Sequence, residues 1–157
     1  MRYTLYIYIG LVVSMLTLAA CGQRPLYYHY ENISTSGWDR VDTLHFDIPA
    51  MKHDGDYGFQ LGLCTSSGYP YRDLSVIVEH RVMPSQQSKR DTIYCDIINE
   101  TGHPTGDGIS LFQYSFPLPS LSLKEGESLQ FNVYHNMRRE ILPNISSVGI
   151  MVEELTL

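Results

Sequence analysis

The side chains best suited to chemistry are six histidines, spread along a chain of 157 residues. They are His29, His45, His53, His80, His103 and His135. Zinc sites use closely spaced ligands, such as His-Glu-x-x-His on a helix or Cys-x-x-Cys in a turn. None of the six stands in such a spacing. The sequence therefore favours solvated or hydrogen-bonded imidazoles, and it predicts neither a metal nor another cofactor.

Carboxylates and nucleophiles are equally dispersed. Asp54-Gly55-Asp56 is similar to the start of a calcium loop, but Thr65 stands at the twelfth position, where a bidentate Glu would close it. A tight turn is the simpler interpretation. The sequence has no Gly-x-Ser-x-Gly, phosphate-loop or Ser-x-x-Lys motif. We therefore predict a non-enzymatic protein. A hydrolase would require a cleft that holds two carboxylates, or a histidine beside a nucleophile.

Cys21 has the clearest chemical role. It follows a segment with a basic start at Arg2, an apolar run and the small residues of Leu18-Ala19-Ala20. This arrangement is typical of a secretory signal peptide, and with its final cysteine it resembles the lipobox of bacterial lipoproteins, whose thiol carries a diacylglyceryl group. Residues 1–20 are therefore predicted to be a lipoprotein signal peptide, and Cys21 the lipidated residue. An ordinary signal peptide followed by a chance cysteine is the alternative.

The chain after the predicted signal is acidic. The full sequence has 11 Lys and Arg against 17 Asp and Glu, which gives a formal net charge of −6. This balance provides no basic surface for nucleic acid or for anionic lipid. Contact with the membrane is therefore expected through the N-terminal lipid alone. We predict a lipidated tether over residues 21–25 and a single domain over residues 26–157.

Alternating apolar and polar residues predict strands throughout that domain. The alternation covers residues 43–48, 57–63, 74–82, 92–97, 112–116, 129–134 and 147–152. Turn-forming Gly, Pro, Asp and Ser residues separate the runs. The pattern predicts an all-β fold, an antiparallel two-sheet β-sandwich of about seven or eight strands. The alternation fails at residues 136–142, where one short helical turn is predicted.

Two cysteines remain beyond the predicted lipidation site. Cys95 shares its strand face with Ile93 and Ile97, which predicts that it points inward, whereas Cys64 has the opposite parity from Leu61 and Leu63. The sequence thus favours two free thiols. A Cys64–Cys95 disulfide is the alternative, since disulfides form in the oxidising periplasm.

Tyrosine is conspicuous, with twelve in the sequence. Two clusters lie outside the regular alternation, Tyr27-Tyr28-His29-Tyr30 and Tyr69-Pro70-Tyr71-Arg72. Amphipathic aromatic residues are common in recognition surfaces for proteins or glycans. An edge strand is an equal alternative for the first cluster. The second is interpreted as a loop stiffened by Pro, with a functional or structural role.

Several stretches, in this order, resemble the GldH family of gliding-motility lipoproteins from Bacteroidota. They are Gly37-Trp38-Asp39 with residues 42–46, Tyr69-Pro70-Tyr71-Arg72-Asp73-Leu74, Asp91-Thr92-Ile93, Gly106-Asp107-Gly108, and residues 136–145 followed by Val148-Gly149-Ile150. Together with the lipobox they span nearly the whole mature chain. The resemblance implies an outer-membrane lipoprotein that works with envelope proteins of the gliding apparatus and its associated secretion machinery, and it brings no catalytic residues.

Residues of these motifs are the candidate sites. Trp38, Tyr69, Tyr71, Met137 and Arg138 are predicted to form a partner surface or a structural closure, with Trp38 at the core edge and Arg138 paired with a carboxylate. Asp42-Thr43-Leu44 and Asp91-Thr92-Ile93 also resemble the Asp-Ser/Thr-aliphatic acceptor of periplasmic O-glycosylation in this phylum. That modification requires Thr43 and Thr92 to be exposed.

We therefore interpret the chain as a lipid-anchored adaptor. Gly22, and the lack of acidic residues directly after Cys21, favour an outer-membrane protein that faces the periplasm. A periplasmic or surface glycan-binding module is the alternative, with Trp38, Tyr69 or Tyr71 as stacking platforms. Coplanar exposed aromatic rings on one concave face would favour the glycan, and buried rings would favour the adaptor.

Overall fold

The computed structural model describes residues 25–155, and all their regular structure is β-strand. The all-β class predicted from the alternation is confirmed. Residues 1–20, Cys21 and residues 22–24 of the predicted tether lie outside the described residues. In the described part of the chain, no helix has the length and apolar character needed to cross a bilayer.

Eleven strands are present between residues 25 and 155. They are β1 (Tyr27–Asn32), β2 (Trp38–Asp39), β3 (Leu44–Ile48), β4 (Gly55–Ser66), β5 (Asp73–Met83), β6 (Gln87–Asp96), β7 (Asp107–Gly108), β8 (Leu111–Leu123), β9 (Ser128–His135), β10 (Ile141–Leu142) and β11 (Ile145–Glu154). The predicted number of seven or eight did not include β2, β7 and β10. These strands have two residues each and are too short to show alternation.

The strands form three antiparallel sheets where two were predicted. A five-stranded sheet has the order β1-β11-β4-β8-β7, and a four-stranded sheet has the order β3-β9-β5-β6. The third sheet contains only β10 and β2. It is formed by segments that connect the larger sheets, so the alternation within strands gave no sign of it.

The core lies between the two larger sheets. Phe59 of β4 and Phe131 of β9 meet there with ring centroids 5.5 Å apart. Around them the inward residues of each strand are buried, as Val133, Val148 and Ile150 illustrate. Full burial of such a side chain contributes about 1.5–3 kcal/mol, so the alternation is enforced by a large free-energy difference between the two faces of each strand.

The helical turn predicted near 136–142 is wrong. Residues 138–140 bend, and Ile141 and Leu142 form β10, which pairs with Asp39 and Trp38 of β2. The Arg40 N–H extends this pairing by donating to the Glu140 carbonyl at 2.7 Å. The alternation fails here because the segment leaves one sheet and joins another, and its backbone groups bond to a distant segment instead of forming a helical turn.

The connections divide between two ends of the molecule. At the tether end lie Pro25, Leu26 and the connections 49–54, 84–86 and 124–127. At the opposite end, the distal end, lie the connections 33–43, 67–72, 97–110 and 136–144, which include β2, β7 and β10. The longest connections thus gather at the distal end. Because binding residues concentrate on loops held by a rigid scaffold, the distal end is the first place to seek a site.

One close approach on the outer face of the five-stranded sheet constrains its sequence. Gly149 of β11 lies between Gly62 of β4 and Tyr30 of β1 in the strand register. The Tyr30 ring covers both glycines, and a Cβ on Gly149 would lie 2.6 Å from that ring and 2.7 Å from the His29 carbonyl oxygen. Burial is the largest cause that raises the pKa of the Tyr30 phenol to about 12.

We predict that Gly149→Ala destabilises the fold by about 1–3 kcal/mol, the usual cost of overpacking a closed site. The added methyl group would have to displace both the Tyr30 ring and the β1 backbone. The midpoint of urea unfolding measures the loss. Gly55→Ala is the matched control, because its Cβ would lie no closer than 3.5 Å to another residue. Equal midpoints for the two variants would show that Tyr30 moves freely.

Candidate functional site at the distal end

The structure brings four of the motif segments to the distal end. Asn144 bonds across to the loop after β4: its Nδ2 donates to the Gly68 carbonyl at 2.7 Å, and its Oδ1 accepts from Ser66 Oγ at 3.0 Å. The Ile97 N–H donates to the Arg72 carbonyl at 2.9 Å. Segments 37–39, 69–72, 106–108 and 136–145, distant in sequence, therefore form one connected end of the molecule.

Gly37 shows how closely two of these segments approach. It has φ +108, a conformation that favours glycine. A Cβ there would lie 2.6 Å from Ile141 Cγ2 and 2.7 Å from the Leu142 carbonyl oxygen. Gly37 thus lets the chain turn directly beneath β10, and this turn carries Trp38 into the interior.

Trp38 is the buried centre of the distal end, with none of its surface exposed. Its indole Nε1 donates to the Asp42 carbonyl at 3.1 Å, and its ring meets the His135 ring edge-on with centroids 5.3 Å apart. The sequence predicted Trp38 at the core edge, and the structure places it fully inside. The indole holds the connection 33–43 against the end of β9.

His135 departs from the sequence prediction of solvated or hydrogen-bonded histidines. Its ring is buried, Nδ1 accepts from the Met137 N–H at 3.4 Å, and Nε2 lacks a well-formed hydrogen bond. Burial is the largest effect on its pKa and lowers it, against the smaller raising effect of the Trp38 and Glu140 backbone. Only its inward parity on β9 could have indicated burial, and parity gives no information on hydrogen-bond partners.

Tyr69 and Tyr71 lie side by side but do not form a stacking platform. Tyr69 is buried, and its hydroxyl donates to the Asp73 carbonyl at 3.1 Å. Burial raises the pKa of the Tyr69 phenol. The half-buried Tyr71 ring meets the Tyr69 ring at 77°. With Trp38 buried as well, these three residues do not supply the coplanar exposed rings that glycan stacking would need.

Met137 and Arg138 differ in their surroundings. Met137 packs against the core, and its sulfur accepts a hydrogen bond from the Ser75 N–H at 3.4 Å. Arg138 is exposed, and it belongs to none of the ion pairs formed among residues 25–155. The carboxylate partner predicted for Arg138 is therefore not found in that part of the chain.

The two candidate glycosylation residues meet the accessibility condition. Thr43 precedes β3 and is exposed, and Thr92 is exposed on the outer face of β6. They lie in different parts of the molecule, so they do not form one site. Modification of either residue stays a prediction.

The two described cysteines are free thiols on different sheets. Cys95 is fully buried, and burial raises the pKa of its thiol to about 12. Cys64 is partly exposed on the outer face of β4. The alternative of a Cys64–Cys95 disulfide is not realised in this structure, in keeping with the opposite parities of the two residues.

Four exposed aliphatic side chains also lie at the distal end, and the sequence gave no reason to select them. Val41 and Ile141 are 83% and 49% exposed, and Ile109 and Leu111 are 94% and 59% exposed. Clusters of His, Cys, Asp or Glu able to hold a metal ion are absent from residues 25–155. The exposed side chains of the distal end thus include carboxylates and arginines as well as these aliphatic groups.

Comparison with known proteins identifies the family of this chain. The profile of the family described as GldH lipoprotein matches residues 25–152, which include all of β1 to β10 and most of β11. The chain belongs to the GldH lipoprotein family. This confirms the resemblance found in the ordered motifs, and it makes the protein a member of a lipoprotein family. No curated protein sequence matches the chain.

Two solved structures show a distant likeness to this family member. A GH115 4-O-methyl-α-glucuronidase with specificity for decorated arabinogalactans has 10% identity and a TM-score of 0.47, and the match covers 87% of this chain but 18% of the enzyme. A protein from Sulfurospirillum deleyianum has 9% identity and a TM-score of 0.39, with 81% of this chain and 98% of that protein covered. TM-scores below 0.5 mean that neither likeness bears on function.

Acid is predicted to destabilise the distal end through His135. Because burial lowers the folded-state pKa below the ordinary value of 6.5, the stabilisation from the neutral ring is fully present above pH 6.5 and is lost as the pH falls below it. The free energy of unfolding should therefore fall between pH 7.5 and 5. His135→Gln should flatten this dependence.

His80 requires a parallel measurement, since burial also lowers its pKa. His80→Gln should remove a separate part of the slope, and the double variant should remove both. The lowered pKa of Glu79 changes the free energy of unfolding only below about pH 4.5, outside the pH range of this measurement. An unchanged slope in His135→Gln would contradict a neutral buried ring.

Thiol labelling is predicted to separate the two described cysteines. The folded chain with Cys21 blocked or replaced should gain one adduct from a small alkylating reagent, at Cys64. Cys95 should react only after unfolding, because the thiolate is the nucleophile and burial suppresses it. Intact mass and peptide mapping measure the result. A folded chain that takes no label but takes two after reduction would instead contain a disulfide.

Proposed function

We propose that this lipoprotein is a non-enzymatic adaptor of the outer membrane, a component of the gliding-motility and associated secretion machinery. Family membership supports the lipoprotein assignment. One observation supports the adaptor role. The predicted lipid attachment leads into one end of the fold, and the long connections, which carry four of the motif segments, lie at the other end. Anchoring and contact therefore use separate parts of the molecule.

The length of the tether determines how the body would stand on a membrane. From Cys21 to Pro25 an extended chain spans at most about 14 Å, at about 3.5 Å per residue. Lipidation would thus hold the tether end close to the bilayer. β1 then leads from Tyr27 to Asn32 towards the distal end, roughly 20 Å further at about 3.4 Å per residue. The distal end is left to meet proteins in the aqueous compartment.

Charge at the tether end does not contribute to this orientation. Carboxylates dominate there, with Asp54, Asp56, Glu125, Glu127 and Glu154 against Lys52 and Lys124. Such an end gains nothing from anionic headgroups, so the acyl chains and not the protein surface would supply the affinity for the membrane.

Replacing the lipidated residue is predicted to release the protein. Wild-type chain should sediment with the outer membrane and resist carbonate extraction, because two or more acyl chains bind a bilayer tightly. Cys21→Ser should appear in the soluble envelope fraction. Fractionation followed by immunoblotting measures the distribution. Cys64→Ser is the matched control and should sediment like the wild type, because Cys64 lies on β4 within the fold.

The adaptor role needs its own test. Wild-type chain and the Arg138→Ala variant would be captured from detergent-solubilised outer membrane, and the proteins retained by each would be compared. A specific envelope protein retained by the wild type and reduced in the variant is the expected result. Retention of the same proteins by a denatured-chain control, or of none by the wild type, would count against an adaptor.

A further inference from the structure

His135 lies at the junction of the sandwich and the small β2–β10 sheet. It is the last residue of β9, and its buried ring meets the Trp38 ring with centroids 5.3 Å apart. We propose that protonation of His135 opens the distal end locally, releasing β10 from β2 while the two larger sheets stay folded. The inference goes beyond the proposed adaptor role and does not depend on it.

The hydrogen bonding of the His135 ring requires its neutral form. Nδ1 accepts from the Met137 N–H at 3.4 Å, so the proton of the neutral ring is assigned to Nε2. A second proton would convert Nδ1 into a donor that faces the Met137 N–H, which would then lose its acceptor. The charge would also lie in a buried site, where a charge without a close partner is costly. Protonation therefore opposes the contact between the end of β9 and the segment that follows it.

The groups around the ring give the charged form too little compensation. Burial has the largest effect on the His135 pKa and lowers it, and Arg40 beside β2 acts in the same direction. The backbone of Trp38 and of Glu140 raises this pKa by smaller amounts, as does the Asp39 carboxylate. The net shift is downward, so the closed distal end favours the neutral ring.

The other elements in contact with β9 place no further charge against the ring. On β5, the buried Val76 pairs with His135. On β3 and β9, the neighbouring titratable side chains His45 and Tyr134 bond to groups of the outer face. The charged side chains of the connection after β9 are exposed to solvent, which screens them: Arg138, Arg139 and Glu140.

β10 is the element that the fold can release at the least cost. It pairs with β2 over two residues only, and the bond from the Arg40 N–H to the Glu140 carbonyl extends this pairing. Neither strand belongs to one of the two larger sheets, whereas β9 pairs with both β3 and β5. Opening exposes the buried Trp38 and Leu142 side chains, so the closed form predominates at neutral pH.

Linkage determines the sign and the limit of the effect. In the open form the ring regains its ordinary pKa of 6.5, whereas the pKa of the closed form is lower. The stabilisation of the closed form is therefore fully present above pH 6.5 and is lost as the pH falls below it. Between pH 7.5 and 5, the ratio of open to closed molecules should rise by at most about thirtyfold.

Hydrogen exchange followed by mass spectrometry tests the proposal on the lipidated full chain in detergent. Protection factors, corrected for the intrinsic effect of pH, would be compared at pH 7.5 and 5 for residues 36–43 and 138–143, with residues 57–65 of β4 as the reference. The distal peptides should lose protection in acid, by up to about thirtyfold. Their exchange should change little in low urea, because a local opening exposes little surface.

His135→Gln is the deciding variant, because an amide oxygen can accept from the Met137 N–H but does not titrate. It should remove the acid-induced loss of protection at the distal end. His80→Gln is the matched control. His80 is also buried, but it lies on β5 against Phe131 with ring centroids 5.7 Å apart, so its replacement should leave the distal loss unchanged.

Two further variants test the proposal even if His135→Gln folds poorly. Arg40→Gln removes a charge that opposes protonation of the closed form, so the acid-induced loss should be smaller than in the wild type. Asp39→Asn removes a charge that favours protonation but keeps the acceptor for the Val41 N–H, so the loss should be larger. Low ionic strength maximises both differences.

Three results would overturn the proposal. The first is a distal end with the same protection at pH 7.5 and 5, and the second is an equal loss in His135→Gln and the wild type. The third is a distal end that matches residues 57–65 in protection and in urea dependence, since the opening would then be unfolding of the whole domain. None of these results bears on the adaptor role, which the capture experiment tests separately.

Discussion

The two-residue period of the β-strand is the constraint on which this structure depends. Successive side chains point to opposite faces, so each strand can bury one set of apolar residues and expose the other. Phe59 and Phe131 meet across the core because both lie on the inward parity of their strands. A shift of one residue in the pairing of a strand would turn its apolar set to solvent and its polar set to the core. The register of β4, β9 and β11 is thereby fixed. The antiparallel direction of the paired strands determines which end of the molecule each connection occupies.

At the distal end, burial of side chains does not follow the alternation seen in the long strands. Its connections are irregular in sequence, and Trp38 supplies the apolar volume that lets them pack. The indole hydrogen bond to Asp42 and the edge-on contact with His135 fix the connection 33–43. One cost is visible in His135, whose Nε2 is buried without a well-formed hydrogen bond. Val41 and Ile141 lie exposed outside this interior.

The strand order separates the end at which the domain begins from the end that carries the long connections. β1 begins beside the end of β11 at the tether end and delivers the chain to the distal end. The tether end and the distal end are thus held apart by the length of the sheets. In a lipoprotein, acyl chains can supply membrane affinity without any apolar protein surface.

The sequence by itself determined the properties that depend on near neighbours. Alternation established the all-β class and the opposite orientations of Cys64 and Cys95, and the ordered motifs indicated the family. Only the tertiary structure decided that Ile141 and Leu142 pair with β2, that Trp38 is fully enclosed and that His135 lies against it. The physical reason is that strand parity is set within one segment. The partner of an irregular segment is set by distant residues, whose approach depends on the packing of the whole chain.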